Sequence, residues 1–202
     1  TDIIPAWEQH VFNEETGGFH AYLKRDWTPY RHNRQYPGML SRQLFSFSAA
    51  YLLSGDQHYL ALADSTFRYM VRHGWDTTYG GWYAEIGPHG RVTKAGKDLF
   101  MQTYAITGLT LYYATTRNPE AKAYLDTTYQ RLRTQAWDQQ NQGYYNSLTQ
   151  DWQVADPQKD FSPQLAPASG FLTYLYPITR KAAYRDHFQT LLTMAWEKMR
   201  HP

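Results

Sequence analysis

Six residues carry side chains able to do chemistry where their neighbours would hold them. Arg42 lies in Ser41-Arg42-Gln43-Leu44-Phe45-Ser46-Phe47, at the expected start of a helix, and a guanidinium there presents donors in a rigid fork. It serves either to grip oxygen atoms or as a capping or ion-pairing arginine. His20 follows Gly17-Gly18-Phe19 in a loop; an imidazole titrates where a proton-transfer base must, although a loop histidine also satisfies itself on backbone. Lys97 and Asp98 are adjacent and Gln102 comes one turn after Asp98, so Asp98 and Gln102 share a helix face. They suit hydroxyl groups of a ligand, or they form a first helical turn in which the dipole favours Asp98. Lys159-Asp160 repeats Lys97-Asp98, and that recurrence argues for a structural role in both places. Trp82, after Gly80-Gly81, is the best flat platform for a ring, or else a plug between helices.

Other chemistries lack their residues. The eight histidines, at 10, 20, 32, 58, 73, 89, 187 and 201, show no metal-binding spacing, so no metal site is expected. Gly87-Pro88-His89-Gly90 has no Lys-Ser or Lys-Thr after it and reads as a turn rather than a phosphate loop. A glycoside hydrolase would need two carboxylates about 5 to 9.5 Å apart. Asp98 and Asp160 are available for that, but nothing in the sequence makes them converge.

A repeat positions these residues. NEETGGFH begins at Asn13, DTTYGGWY at Asp76 and DQQNQGYY at Asp138, which sets Gly18, Gly81 and Gly143 63 and 62 residues apart. An aromatic residue precedes each segment: Phe12, Trp75 and Trp137. Between the loops the apolar residues have helical period, as in Leu60, Ala63, Phe67 and Met70 or Phe188, Leu192, Ala195 and Met199. Short polar joints fall at Ser54-Gly55-Asp56, Asn118-Pro119 and Thr179-Arg180-Lys181. The pattern predicts an all-α protein of consecutive antiparallel helical hairpins, with helices over 2–12, 42–54, 56–73, 97–116, 119–136, 162–178 and 181–199. Each repeat is a loop, an inward helix, a tight turn and an outward helix, and stacked hairpins bury what one alone cannot. Ala195-Trp196-Glu197 repeats Ala136-Trp137-Asp138, so a fourth repeat is expected to begin where the sequence stops.

The 202 residues, 42% hydrophobic, suffice for one domain with a real core. Twenty basic and 18 acidic residues are scattered along the chain, without the polybasic tract that nucleic acid or an anionic membrane would call for. No apolar run approaches the ~20 residues of a membrane span, and the start has no signal-peptide pattern, although a chain without an initiator Met has been trimmed at its front. No cysteine is present, which fits a cytoplasmic location. Seven Trp, 18 Tyr and nine Phe supply many flat faces with polar tips, suited to sugar rings or to filling space between helices.

Two segments together resemble the N-acylglucosamine 2-epimerase family of sugar epimerases and aldose-ketose isomerases. Arg42-Gln43-Leu44-Phe45-Ser46-Phe47 is similar to its Arg-x-Leu-Trp-x-Phe helix. Gly80-Gly81-Trp82-Tyr83, followed by Lys97-Asp98-Leu99-Phe100, is similar to its Gly-Gly-Trp-Tyr loop and Lys-Asp-Leu-Tyr helix. The resemblance implies part of an (α/α)6 toroid or barrel, about seven of twelve helices. It implies a small-molecule sugar substrate, an enediolate mechanism without a cofactor, Arg42 holding sugar oxygens, and Trp82, Lys97, Asp98 and Gln102 around the sugar. A family histidine is expected on the third inward helix, but Pro167 and Gly170 occupy its pattern, which leaves His20 as a substitute base. The remaining alternative is a sugar-binding or scaffolding half-toroid whose open edge is covered by a second chain or an oligomer partner.

Overall fold

The computed structural model describes residues 3–15, 18–30 and 34–199. Its helices start and stop for local reasons. After α1 (Ile3–Val11), α2 (Pro37–Ser54) begins with extended Tyr36 and a proline at its first position, where the missing N–H needs no partner. It therefore starts five residues before the expected 42–54, and Arg42 lies in its second turn. Gly55 ends α2 in the left-handed conformation. Asp56 caps α3 (Gln57–Gly74), accepting from the His58 N–H, and Asp98 caps α4 (Leu99–Thr116), accepting from the Met101 N–H. Asn118 caps α5 (Pro119–Arg131), which runs on as a π-type turn over Leu132–Ala136.

One expectation is corrected. The helix placed over 162–178 is two: α6 (Phe161–Ser169) and α7 (Phe171–Thr179), separated by Gly170 at φ −107° and ψ −116°. Pro167 removes one backbone donor from α6. A β-carbon at Gly170 would also stand 2.7 Å from Thr107 Oγ1 and 2.7 Å from the Ala166 carbonyl, so the break lets the third inner helix sit directly on α4. The chain closes with α8 (Ala182–Lys198).

Helices α2, α4 and α6–α7 lie side by side as an inner row, and α3, α5 and α8 back them from outside. The tightest crossing is that of α2 with α4. Gly108 donates its N–H to Ser41 Oγ (2.7 Å), and a β-carbon there would come within 1.9 Å of the Ser41 carbonyl. Leu44, Phe47, Phe67, Met70, Ile106, Leu109 and Leu125 fill the core between the rows.

The long loops all enter inner helices, so they gather at one end of the hairpins. Short strands appear in them: β1 (Phe12–Asn13) pairs with β2 (Gly18–Phe19), and β3 (Glu85–Ile86) with β4 (Val92–Lys94). A three-stranded sheet joins β5 (Lys97–Asp98), β6 (Ser147–Leu148) and β7 (Val154–Asp156), linking one repeat to the next. The repeated glycine corners are equivalent. Trp75 bridges to Trp82 and the Asp76 N–H meets the Gly81 carbonyl at 2.8 Å; Trp137 bridges to Tyr144 and the Asp138 N–H meets the Gly143 carbonyl at 2.9 Å. In the first corner Phe12 pairs with Phe19.

A second repeated device follows each corner. A hairpin tip holds a left-handed residue at Trp27 (φ 67°), Gly90 (φ 73°) and Trp152 (φ 68°). The turn hydrogen bonds recur too: Trp27 to Lys24, Gly90 to Gly87 and Trp152 to Thr149, each from N–H to carbonyl. Every tip reaches back. Trp27 stacks on His10 (ring centroids 5.1 Å apart), Gly90 seats against His73, and Trp152 packs over Gly81.

Candidate active site on the inner helices

The residues singled out by sequence fall into two groups. Arg42 is exposed on α2, and its guanidinium lies over the Tyr104 ring of α4, 4.8 Å from the centroid. The pair lines a cleft of about 220 Å3 with Phe45, Ser46 and Thr107. Phe45 also meets the Tyr174 ring of α7 edge-on, with centroids 5.6 Å apart. Three neighbouring inner helices thus present one continuous wall that carries a fixed cation, aromatic faces and hydroxyl groups. A guanidinium held by one face on a ring keeps its edge donors free.

Trp82, Lys97 and Gln102 come together elsewhere, in the second corner, and each is fully buried. Gln102 clips the corner, its Oε1 accepting from the Trp82 N–H (2.9 Å) and its amide donating to the Trp82 carbonyl (2.5 Å). The Trp82 indole donates to Thr128 Oγ1 (3.1 Å) and packs on Trp75, with ring centroids 5.0 Å apart. Neither face of that ring is open to a ligand. Lys97 Nζ pairs with Asp76 at 2.7 Å, with both side chains fully buried, beside the rings of Tyr83 and Trp152. Burial raises the Asp76 carboxyl, but Lys97 and the Tyr79 N–H outweigh it and hold its pKa below the usual range. Asp98 serves as the α4 cap.

His20 belongs to the first corner. It is half-buried, its backbone N–H donates to the Val11 carbonyl (2.7 Å), and burial lowers its imidazole pKa, so it is neutral at pH 7. Pro167 is buried within α6.

Sequence reasoning did not find Tyr104, Asp76 or Trp152. For Tyr104 the signal was present, since it follows Arg42 by 62 residues, the repeat length, and shares its place in the inner row. Asp76 and Lys97 are 21 residues apart, as are their equivalents Asp138 and Lys159, which pair at 3.0 Å. A larger cleft, about 590 Å3, opens at the short-turn end between Tyr51, Asp64, Tyr112 and Asn118. Tyr112 donates to Asp64 there (2.5 Å), and burial pushes its pKa up to about 12. That site offers a phenol already engaged, far along the helices from the loops.

An inner row of helices backed by an outer row, with long loops at one end, defines a helical toroid of the (α/α)6 class. A model of the N-acylglucosamine 2-epimerase (GlcNAc 2-epimerase) family matches residues 17–201, and the chain belongs to that family. It is similar to a cellobiose 2-epimerase of Bacteroides fragilis, 29% identical over 161 residues, covering 77% of this chain and 40% of that protein. A D-mannose isomerase of Marinomonas mediterranea is 23% identical over 181 residues, 87% of this chain and 43% of its own. Among solved structures, cellobiose 2-epimerase from Spirochaeta thermophila superposes with a TM-score of 0.88 at 22% identity, over 96% of this chain and 50% of that one. The chain therefore spans about half the length, or less, of the relatives it matches.

Proposed function

We propose that the protein to which this chain belongs is a carbohydrate 2-epimerase or aldose-ketose isomerase working through an enediolate. The observation that carries this reading is the Arg42 guanidinium held over Tyr104 on the open inner wall, in a chain of a sugar-epimerase family. Removing the proton from carbon 2 of an open-chain aldose sends the C–H electron pair into a carbon 1 to carbon 2 double bond and leaves negative charge on the former carbonyl oxygen. The Arg42 fork stabilises that oxygen. Returning the proton to carbon 2 from the other face gives the epimer; protonating carbon 1 gives the ketose. Pro167 and Gly170 cannot ionise, so proton transfer falls to His20, neutral and therefore able to accept, or to groups beyond this wall.

No cofactor is required, because a base, an acid and a fixed cation suffice for the chemistry. In this reading the protein is cytoplasmic, and the open α7 and α8 face, with Leu172, Phe188 and Leu192 along an apolar groove, is covered by further chain or by an oligomer partner. The test is to incubate full-length protein with glucose, mannose and cellobiose in deuterated water. Deuterium at carbon 2 of one of them, lost in Arg42→Ala, is the expected result; sugars that return unlabelled reject the reading.

A further inference from the structure

The first hairpin tip differs from the other two in what it shows to solvent. Tyr22 and Tyr30 face each other across it, joined by the Tyr30 N–H to the Tyr22 carbonyl (3.1 Å), and are 43% and 53% exposed. The repeat places Glu85 and Thr93 at the same two positions in the second tip, and Ser147 and Ala155 in the third. Glu85 and Thr93 hydrogen-bond to each other (2.9 Å), and the third tip folds with two small side chains. The hairpin geometry therefore does not require an aromatic pair.

The hairpin is also anchored on its other side. Trp27 lies on His10 and meets Trp7 edge-on, at 6.2 Å between centroids, and Asp26 Oδ1 accepts from both the N–H and the hydroxyl of Thr28 in the turn. The two phenols are thus presented on a pinned support. A third, Tyr36, is half-buried at the start of α2, with Tyr22 and Glu85 as its neighbours. Arg34 stands beside Glu85, 3.9 Å away, with its side chain 63% exposed. Arg42 follows Tyr36 by six residues, about 9 Å along the same helix. The row of phenols therefore leads from the tip towards the inner wall.

We propose that Tyr22 and Tyr30 form a stacking subsite for a glycosyl unit beyond the one that reacts, so that the protein favours a disaccharide or longer glycan over a free monosaccharide. The chemistry fits: the apolar face of a pyranose lies on a tyrosine ring while the phenol tips and Arg34 reach its hydroxyls. Exposed tyrosines lose little conformational freedom when a ring settles on them. This inference rests on the sugar-epimerase reading for the location of the reacting unit, but stacking itself does not depend on turnover.

The experiment is titration calorimetry of full-length protein with glucose, cellobiose and cellotetraose, using wild type, Tyr22→Ala/Tyr30→Ala and Tyr22→Phe/Tyr30→Phe. The expected result is tighter binding of the longer glycans by wild type and a loss of about tenfold for them in the alanine variant. Glucose affinity is unchanged, and the phenylalanine variant retains most of the preference. Equal weakening for glucose and cellotetraose, no weakening at all, or no preference in wild type overturns the subsite. Failure of carbon 2 exchange with intact, tyrosine-dependent glycan binding would instead remove the epimerase reading and leave the subsite standing.

Discussion

The second corner and the inner wall lie in the same repeats and use the same kinds of residue, yet they are built in opposite ways. At the corner, Trp82, Lys97 and Gln102 are fully buried with their polar atoms bonded to Thr128, Asp76 and the Trp82 backbone. On the wall, Arg42 and Tyr104 touch only by cation and ring, and the cleft beside them is open. A charged group that is sealed and paired holds the chain in shape. A charged group kept in place by one face, with its donors facing solvent, is available to a ligand. The corners themselves sharpen the contrast. Asp76 and Lys97 are shut in by the Trp152 tip, whose indole donates to the Tyr79 and Gly80 carbonyls. Asp138 and Lys159 make the equivalent pair with the lysine side chain 25% exposed.

The largest effect is expected at the sealed corner. Trp82→Ala removes a fully buried indole and should cost about 3 to 5 kcal/mol. Asp76→Ala strands the Lys97 ammonium in the core at a similar cost, about 3 to 5 kcal/mol. Urea unfolding followed by circular dichroism measures both. If either variant unfolds at the wild-type midpoint, the corner is not the structural clamp described.

Next comes a pH effect in the third corner. His187 is buried, bonded to Tyr144 (2.8 Å), and burial pulls its pKa down to about 3. The unfolded chain takes up this proton near pH 6.5 and the folded chain does not. This group's contribution to stability is therefore complete above pH 6.5 and falls by about 1.4 kcal/mol per unit as pH drops from there towards 3. His187→Leu, the residue its equivalent Leu125 supplies in the preceding outer helix, should flatten that limb of a stability profile. An unchanged slope would show that His187 is protonated in the fold.

The smallest stability effect of the corner pairs is expected for Lys159→Ala, because water already reaches that lysine. Its midpoint should shift far less than that of Lys97→Ala. Equal shifts would mean that burial by Trp152 does not separate the two corners.

Much of this arrangement was legible in residue order. The glycine spacing gave the three corners, and Asp56, Asn118 and Gly55 marked helix ends by their capping chemistry. Position 170 was harder, because its break depends on the closeness of Thr107, a contact made only after α4 and α6 dock. Trp82, Lys97 and Gln102 stood out in the sequence through strong local motifs, and a motif records a demand on residue type without saying whether folding or a ligand makes it. Burial separates the two cases, and it comes from long-range packing, such as Trp152 reaching back 71 residues over Gly81. Tyr104 belongs to no local motif and becomes visible only when the 62-residue period is applied to Arg42.

The division of labour between wall and corner is tested most directly by measuring carbon 2 deuterium exchange and thermal unfolding together on full-length Arg42→Ala and Lys97→Ala. Arg42→Ala should unfold within roughly 1 kcal/mol of wild type, the scale of an exposed cation and ring contact, while losing about a hundredfold or more in exchange. Lys97→Ala should be markedly less stable yet exchange at the wild-type rate per folded molecule. The opposite pattern, an Arg42 variant that still exchanges and a Lys97 variant that folds normally without exchanging, would contradict it.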